Sequence, residues 1–204
     1  MKLIVLDTET SDIKDAEIGQ LTYFMIGDGV RCFNEWFALD YVSPGASAIN
    51  GLTVESLKEL SKGQVFADVA ERVYEDFQDA TVVCHNVAFD LPLLNRCIRQ
   101  ALGKPLLVQK SFCTMEYYTP ILKIPGPYGD KWPRLNEVTD YLGLDEKQIA
   151  FAAQKIFQSA GIGFHDARFD VAATYRILQE TINRLNHQPI TGIKAFIHAV
   201  NQLC

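Results

Sequence analysis

The chain begins with a continuous apolar run, which is typical of a strand buried on both faces. This run covers residues 2–6, and two apolar-rich segments, 20–26 and 31–37, flank a Gly-Asp-Gly turn at 27–29. An Asp-Gly pair between two apolar runs is a strong signal for a β-hairpin. The chain is therefore predicted to open with three antiparallel strands.

Later in the chain, short β-branched runs alternate with apolar residues at helical spacing. Strands are predicted at 81–84 and near 106–109. Helices are predicted at 54–60, 65–77, about 88–102, 135–142, about 146–159, 167–184 and about 193–203. Thr53 and Asp166 can cap two of these helices, and Gly103 can end a third. This order predicts an α/β fold, with a mixed five-stranded sheet of three antiparallel and then parallel strands, flanked by helices on both faces.

The segment 110–134 follows neither pattern, because four prolines interrupt it. It is the basic and aromatic part of the chain, and we predict no regular structure for most of it. Its rings and cations include Tyr117, Tyr118, Tyr128, Trp132, Lys110, Lys123, Lys131 and Arg134. Such a segment suits contact with a single nucleic-acid strand, and Trp132 is a candidate substrate-binding residue.

Composition and charge limit the class of protein. A chain of 204 residues with 48% hydrophobic content can form one sizeable core. A net charge of -6 and a pI near 5.2 argue against holding long duplex DNA, which needs an extensive basic face. The acidity does not exclude binding to the end of a nucleic-acid strand, because metal ions can hold a phosphate group in place of basic side chains.

Targeting signals are weak in this sequence. The apolar run at the N-terminus stops at Asp7, too early for a signal peptide, and no segment approaches the roughly 18 apolar residues of a membrane span. The five cysteines include no C-x-x-C pair and several lie in apolar segments. We therefore expect a cytoplasmic protein with reduced thiols.

Four carboxylates lie where predicted strands end or predicted helices begin. Asp7 and Glu9 are two residues apart, so they point the same way at the carboxyl end of the first strand, where open α/β sheets bind ligands. Asp90 and Asp170 each lie in the first turn of a helix, where the helix dipole favours an anion. Each feature alone is common, but their conjunction indicates a shared site.

Carboxylates brought together in this way would repel one another, and their pKa values would rise unless cations lay between them. An all-oxygen ligand set selects Mg²⁺ or Mn²⁺ rather than zinc. Two such ions about 3.5–4 Å apart can lower the pKa of an attacking water and stabilise a leaving 3′ oxygen. Asp7, Glu9, Asp90 and Asp170 are therefore candidates to hold two metal ions for phosphodiester hydrolysis.

Two histidines lie close to these carboxylates in the sequence. His165 lies between a Gly-Ile-Gly turn at 161–163 and the capping Asp166. Histidine titrates near neutral pH and suits a general base, although a lone histidine in a loop is more often a solvated residue without a role. His85 ends the strand at 81–84, and we expect it to make structural hydrogen bonds.

The three motifs resemble those of the DEDD exonucleases in the histidine branch, DEDDh, whose fold is RNase H-like. Asp7-Thr-Glu-Thr10 is similar to the first motif, His85-Asn-Val-Ala-Phe-Asp90 to the second, and His165-Asp-Ala-Arg-Phe-Asp170 to the third. In the tyrosine branch a Tyr stands four residues before the last Asp, where this chain has Asp166. The resemblance implies that Asp7, Glu9, Asp90 and Asp170 hold two Mg²⁺ or Mn²⁺ ions and that His165 is the catalytic base.

The resemblance extends over residues 1–185, the expected exonuclease domain, and leaves 186–204 as a C-terminal helical extension packed on the same domain. Residues 43–57 are similar to the stretch that borders the last base in polymerase III epsilon-type proofreading subunits and three-prime repair exonucleases. The likeness implies that Asn50 and Leu52, from this stretch, contact the substrate. Thr10 would lie near the terminal nucleotide.

The resemblance therefore implies a metal-dependent 3′–5′ exonuclease that releases nucleoside 5′-monophosphates from single-stranded or frayed DNA ends. A 3′–5′ exoribonuclease of the RNase T or oligoribonuclease kind is the alternative. A non-catalytic nucleic-acid-binding module of the same fold is a third hypothesis, but such a module needs no general base. A polymerase or another replication or repair protein could be a partner in trans.

Overall fold

A mixed sheet lies at the centre of the fold. The computed structural model describes residues 1–163 and 165–204. The strands of the sheet are β1 (Lys2–Thr10), β2 (Ile18–Ile26), β3 (Val30–Trp36), β4 (Ala80–Cys84) and β5 (Lys110–Cys113). Their spatial order is β3-β2-β1-β4-β5, with β2 antiparallel to both its neighbours and β4 parallel to both of its own. The predicted five-stranded mixed sheet is confirmed.

Helices cover both faces of this sheet. In the described part of the chain they are α1 (Pro44–Asn50), α2 (Val54–Ser61), α3 (Ala70–Phe77), α4 (Val87–Leu102), α5 (Thr114–Leu122), α6 (Leu135–Leu142), α7 (Glu146–Phe157), α8 (Ala167–Asn186) and α9 (Ile193–Leu203). Successive residues of a strand face opposite sides. Ile4 and Leu6 pack with α3 and α4, whereas Leu3 and Val5 pack with α8 and α9. The same alternation continues into the polar end of β1.

Several predicted helix ends are confirmed by their caps. Thr53 Oγ1 accepts a hydrogen bond from Ser56 N at 3.1 Å at the start of α2. Asp166 caps α8 by accepting from Arg168 N at 3.0 Å. Gly103 ends α4 at φ +70°, a left-handed conformation that glycine adopts without strain.

The helix predicted over 65–77 is wrong at its start. Asp68 Oδ2 accepts a hydrogen bond from Val65 N at 2.9 Å, and Phe66–Asp68 forms a separate 3₁₀ turn. The α-helix begins only at Ala70. An aspartate that bonds a nearby backbone amide offers the chain an alternative to a continuous helix.

The strand predicted near 106–109 is also wrong in position. β5 instead pairs with β4 from Thr81 opposite Lys110 to Cys84 opposite Cys113. Gln109 N donates to Ala80 O at 2.8 Å immediately before this ladder. Pairing with β4 therefore sets the position of this strand, rather than the apolar residues that precede it.

The segment 110–134 has more regular structure than its prolines predict. Besides β5 it contains α5, which continues through Pro120, and a small hairpin of β6 (Pro125–Gly126) and β7 (Gly129–Asp130). A Cβ on Gly126 would lie 2.9 Å from Gly129 O, so this tight turn requires glycine. The helix α1 was not predicted, and Ser43 caps it by accepting a hydrogen bond from Ala46 N at 3.1 Å.

Two further helices pack on the α8 side of the molecule. α7 packs Ile149 and Ala153 beside α8. α9 buries Ile197 and Val200 in the cluster that contains Leu3. None of the helices in the described residues combines the length and hydrophobicity needed to cross a membrane.

Candidate metal centre

Asp7 and Glu9 lie at the carboxyl end of β1 and, like Leu3 and Val5, on the α8 side of the sheet. The pairing of β1 with β2 is irregular here: Glu9 is opposite Gln20, but Thr10 is opposite Ile18. One residue of β2 is thus left over, which is a β-bulge. Glu9 is 9% exposed, so its carboxylate lies largely inside the protein.

Asp170 approaches the same place from α8, where it lies in the first turn as predicted. Carboxylate oxygens of Asp7, Glu9 and Asp170 all lie within 4.8 Å of one another. Asp170 Oδ1 is buried and has no hydrogen-bond partner in the described part of the chain. A buried acceptor without a donor is costly unless something else binds it, and a cation suits this position.

Asp90 reaches the end of β1 from the opposite face of the sheet. It is 4% exposed in the first turn of α4, and its Oδ1 accepts a hydrogen bond from Thr8 Oγ1 at 2.7 Å. Thr8 faces α4 because it lies between Asp7 and Glu9 on the strand. Asp90 is not within the 4.8 Å group, but its charge acts on Asp7 and Glu9.

Burial and mutual repulsion disfavour the charged forms of these carboxylates. Burial, and then the charge of Asp170, raises the pKa of Glu9 to about 8. Burial raises the pKa values of Asp90 and Asp170 to about 7, and the charge of Asp166 adds to the shift of Asp170. The pKa of Asp7 rises well above its usual range through burial and then the charge of Asp170. A bound divalent cation would reverse this balance, and an all-oxygen donor set suits a hard cation.

His165 lies in the turn before α8 and is exposed. Its backbone is left-handed, with φ +62°. It precedes the capping residue Asp166, so the turn that carries it joins the helix that carries Asp170. The predicted base therefore lies next to α8, the helix that carries Asp170, and its side chain is accessible from solvent.

The predicted substrate-binding residues have different environments. Asn50 Nδ2 donates to Thr10 O at 3.1 Å, and a hydrogen bond from the same side chain lowers the pKa of Glu9 against the effect of burial. Thr10 Oγ1 donates to the Asp12 carbonyl at 2.9 Å. Leu52 is 6% exposed, whereas Trp132 is 67% exposed. Asn50 thus connects α1 with the metal centre, and Trp132 is open to a ligand.

His85 makes the structural hydrogen bonds that its sequence position predicts. Its Nε2 lies 3.0 Å from Pro133 O and its Nδ1 lies 2.9 Å from Thr114 Oγ1. A carbonyl can only accept, so Nε2 donates and a neutral Nδ1 accepts from the Thr114 hydroxyl. Burial lowers the pKa of His85 to about 4, which keeps this ring neutral. The ring ties the residue after Trp132 to the end of β4.

Comparison of the sequence with known proteins supports the predicted resemblance. No protein-family model matches the chain. The chain is 28% identical over 122 residues to DNA polymerase III subunit epsilon of Buchnera aphidicola subsp. Acyrthosiphon pisum (strain APS). The matched part covers 56% of this chain and 51% of the epsilon subunit. The predicted similarity to epsilon-type exonucleases is thus confirmed.

Comparison of the structure gives the same fold. Exonuclease I, in a structure described as suggesting how processivity is achieved, has a TM-score of 0.68 at 18% identity, over 98% of this chain and 43% of that chain. Escherichia coli exonuclease I in complex with a dT13 oligonucleotide has a TM-score of 0.67 at 18% identity, over 91% and 42%. A zinc-bound complex of E. coli exonuclease I with single-stranded DNA has a TM-score of 0.65 at 18% identity, over 90% and 40%.

These matches confirm the predicted RNase H-like fold. The chain spans about half the length of the epsilon subunit and about two-fifths of the length of exonuclease I.

Proposed function

We propose that the chain is a metal-dependent 3′–5′ exonuclease that shortens single-stranded or frayed DNA ends and releases nucleoside 5′-monophosphates. The observation that carries this proposal is the partly buried group of Asp7, Glu9 and Asp170, with carboxylate oxygens within 4.8 Å of one another. Such a group is stable at neutral pH when cations compensate its charge. Similarity to the epsilon subunit and the shared exonuclease I fold support this reaction class.

The four carboxylates would have distinct roles in this reaction. Asp7, Glu9 and Asp170 would form the main ligand set, and Asp90 would complete it from the α4 side. When bound, two Mg²⁺ or Mn²⁺ ions would lower the pKa of an attacking water and neutralise charge on the leaving 3′ oxygen. Thr8 would fix the orientation of Asp90 through its hydrogen bond to Oδ1.

His165 would act as the general base. It is exposed in the turn before α8, and its imidazole would approach a water molecule at the carboxylate group when substrate is present. A general base must come within hydrogen-bonding distance of the proton that it accepts, and this distance often shortens only when substrate binds. His165 would then take the proton from the attacking water.

Substrate would enter along the end of β1 and the hairpin β6–β7. Thr10, Asn50 and Leu52 would border the terminal nucleotide, with Asn50 linking the substrate side to Glu9. Trp132 is exposed and directly precedes Pro133, whose carbonyl accepts a hydrogen bond from His85. Its ring would stack on a base of the incoming strand. DNA is favoured over RNA because E. coli exonuclease I forms complexes with deoxyoligonucleotides.

The deciding experiment is degradation of a 5′-labelled single-stranded DNA. We expect stepwise shortening with Mg²⁺ or Mn²⁺, no reaction with EDTA, and a strong loss of activity in Asp170→Asn. Asp28→Asn is the matched control, because Asp28 is exposed in the β2–β3 turn at the other end of the strands. Internal cleavage of a circular single strand would contradict an exonuclease.

The same assay separates the other hypotheses. Faster shortening of an RNA of the same sequence would favour the exoribonuclease. Binding of the strand without any shortening would favour a non-catalytic module. Identification of the proteins that bind the active enzyme would test for a polymerase partner in trans. It would also distinguish a role in proofreading from one in repair or scavenging.

A further inference from the structure

A buried amide connects the metal centre with the start of α8. Gln20 is fully buried in β2, directly opposite Glu9 of β1. Residues opposite each other in an antiparallel pair have side chains on the same face of the sheet, so Gln20 faces α8. Its side chain is therefore placed between the strand that carries Glu9 and the helix that carries Asp170.

Each hydrogen bond of this amide has a defined direction. The backbone N–H of Ala167 donates to Gln20 Oε1 at 3.2 Å, which fixes the oxygen toward α8. Gln20 Nε2 then donates to Asn34 Oδ1 at 2.7 Å and to Asp166 Oδ1 at 3.2 Å. An Asn oxygen and a carboxylate can only accept, so the amide is satisfied in this orientation.

The bonds of Gln20 go to the two residues at which α8 begins. Asp166 is the cap of the helix, and Ala167 is its first residue. Arg168 holds the same carboxylate, with Nε 2.9 Å from Asp166 Oδ1. Asp170 follows one turn later and His165 comes immediately before the cap. A displacement of this turn would therefore move both of these side chains.

We propose that Gln20 is a positioning residue, which fixes the first turn of α8 on β2 so that Asp170 meets Glu9 and His165 is held at the site. The inference deepens the proposed function and rests on it for the roles of Asp170 and His165. The buried amide is a polar group in a strand otherwise rich in apolar residues. Its exact reach to the helix start explains why an amide occupies this position rather than a hydrophobic side chain.

The test compares Gln20→Met with Thr22→Val. Met has a similar length but makes no hydrogen bond to Ala167 or Asp166. Thr22 is also fully buried, and its hydroxyl donates to the same Asn34 Oδ1 at 2.7 Å. It lies opposite Asp7, but its hydroxyl bonds β3 rather than α8. Thr22→Val is therefore a control for loss of a buried hydrogen bond on this face.

Three measurements report the position of α8. Equilibrium Mn²⁺ binding should weaken by roughly tenfold or more in Gln20→Met, as is usual when the support of a metal ligand is lost. Hydrogen exchange of the amides at 166–170 should become faster in the metal-free protein. On single-stranded DNA, kcat should fall while KM changes little. Thr22→Val should leave all three close to wild type, whatever its melting temperature.

The inference is overturned if Gln20→Met loses stability but keeps the Mn²⁺ affinity and amide exchange of the wild type. Gln20→Asn, which keeps an amide but is one methylene too short to reach the helix, provides the same comparison if the Met variant does not fold. A wild-type protein that shortens no DNA, but whose Mn²⁺ affinity depends on Gln20, would contradict the proposed function and support the positioning role. Full nuclease activity with unchanged Mn²⁺ affinity in both variants would overturn the positioning role alone.

Discussion

Thr8 Oγ1 donates a 2.7 Å hydrogen bond to Asp90 Oδ1, across 82 positions of the sequence. The two carboxylates that flank Thr8 on β1 face α8, and Thr8 itself faces α4. One short strand end therefore collects acidic groups from helices on both faces of the sheet. This arrangement depends on the alternation of side chains along β1, which the Asp-Thr-Glu sequence preserves.

Removal of the Thr8 hydroxyl tests this link. In Thr8→Val, Asp90 keeps its burial but loses the donor to Oδ1, which should cost about 1–3 kcal/mol in the free energy of unfolding at neutral pH. Urea denaturation checks this cost, and DNA degradation should slow in parallel because Asp90 is no longer oriented. Thr8→Ser retains the hydroxyl and is the matched control. Equal stability of Val and Ser variants would show that the hydrogen bond has no energetic role.

The raised carboxylate pKa values predict an inverted pH dependence of stability in the metal-free protein. The pKa of Glu9 rises from 4.5 to about 8, and that of Asp170 from 3.8 to about 7. Between the ordinary pKa of each carboxyl group and its raised pKa in the folded protein, the folded protein binds more protons than the unfolded chain. The free energy of unfolding therefore falls as pH rises. In EDTA, Tm should therefore fall between pH 5 and pH 8. A decrease of about 3 kcal/mol in the free energy of unfolding would lower Tm by on the order of 10 °C.

Metal ions should oppose this loss, and more strongly at higher pH. Binding of Mn²⁺ requires deprotonated carboxylates, so the rise in Tm on adding Mn²⁺ should be larger at pH 8 than at pH 5. Calorimetry with and without Mn²⁺ checks both the fall of Tm with pH in EDTA and the larger effect of Mn²⁺ at pH 8. In Asp170→Asn the EDTA curve should be flatter, because one of the repelling charges is absent. A Tm in EDTA that rises from pH 5 to pH 8 would contradict the buried carboxylate group.

The sequence predicted that Asp7, Glu9 and Asp170 lie together, because each occupies a position with a simple rule. Asp7 and Glu9 follow from strand alternation, and Asp90 and Asp170 from their places in the first turns of helices. Residues that support them were missed, because Thr8 and Gln20 act through partners far away in the chain. Tertiary packing determines which helix contacts a given strand, and the local sequence pattern does not predict it.

The same distinction applies to the fold. The strands at the start of the chain were predicted because their turn and apolar runs are local signals. β5 was misplaced because its limits depend on pairing with β4. α5 was missed because Pro120 indicated a break, although the helix continues through it. Tertiary contacts compensate such local preferences.

Trp132 provides a test of the path of the substrate strand. The ring is 67% exposed, so it does not anchor the proline-rich loop in the interior. Base stacking on an aromatic side chain is worth about 1–3 kcal/mol, and Trp132→Ala should raise KM for single-stranded DNA by roughly 5- to 150-fold with little change in Tm. Phe151→Ala, at an exposed ring on α7, is the control. Unchanged KM in Trp132→Ala would exclude this path.

Replacement of His165 tests the proposed base separately from the metal ligands. In His165→Ala, kcat should fall by roughly 10²–10⁴, the usual worth of general base catalysis, while Mn²⁺ affinity stays at the wild-type value. Asp170→Asn should instead reduce both, because a ligand is lost. His187→Ala is the matched control, since His187 is an exposed histidine at the other end of α8. Near-normal kcat in His165→Ala would require another proton acceptor, and loss of Mn²⁺ binding would make His165 a ligand; either result would contradict its assignment as the base.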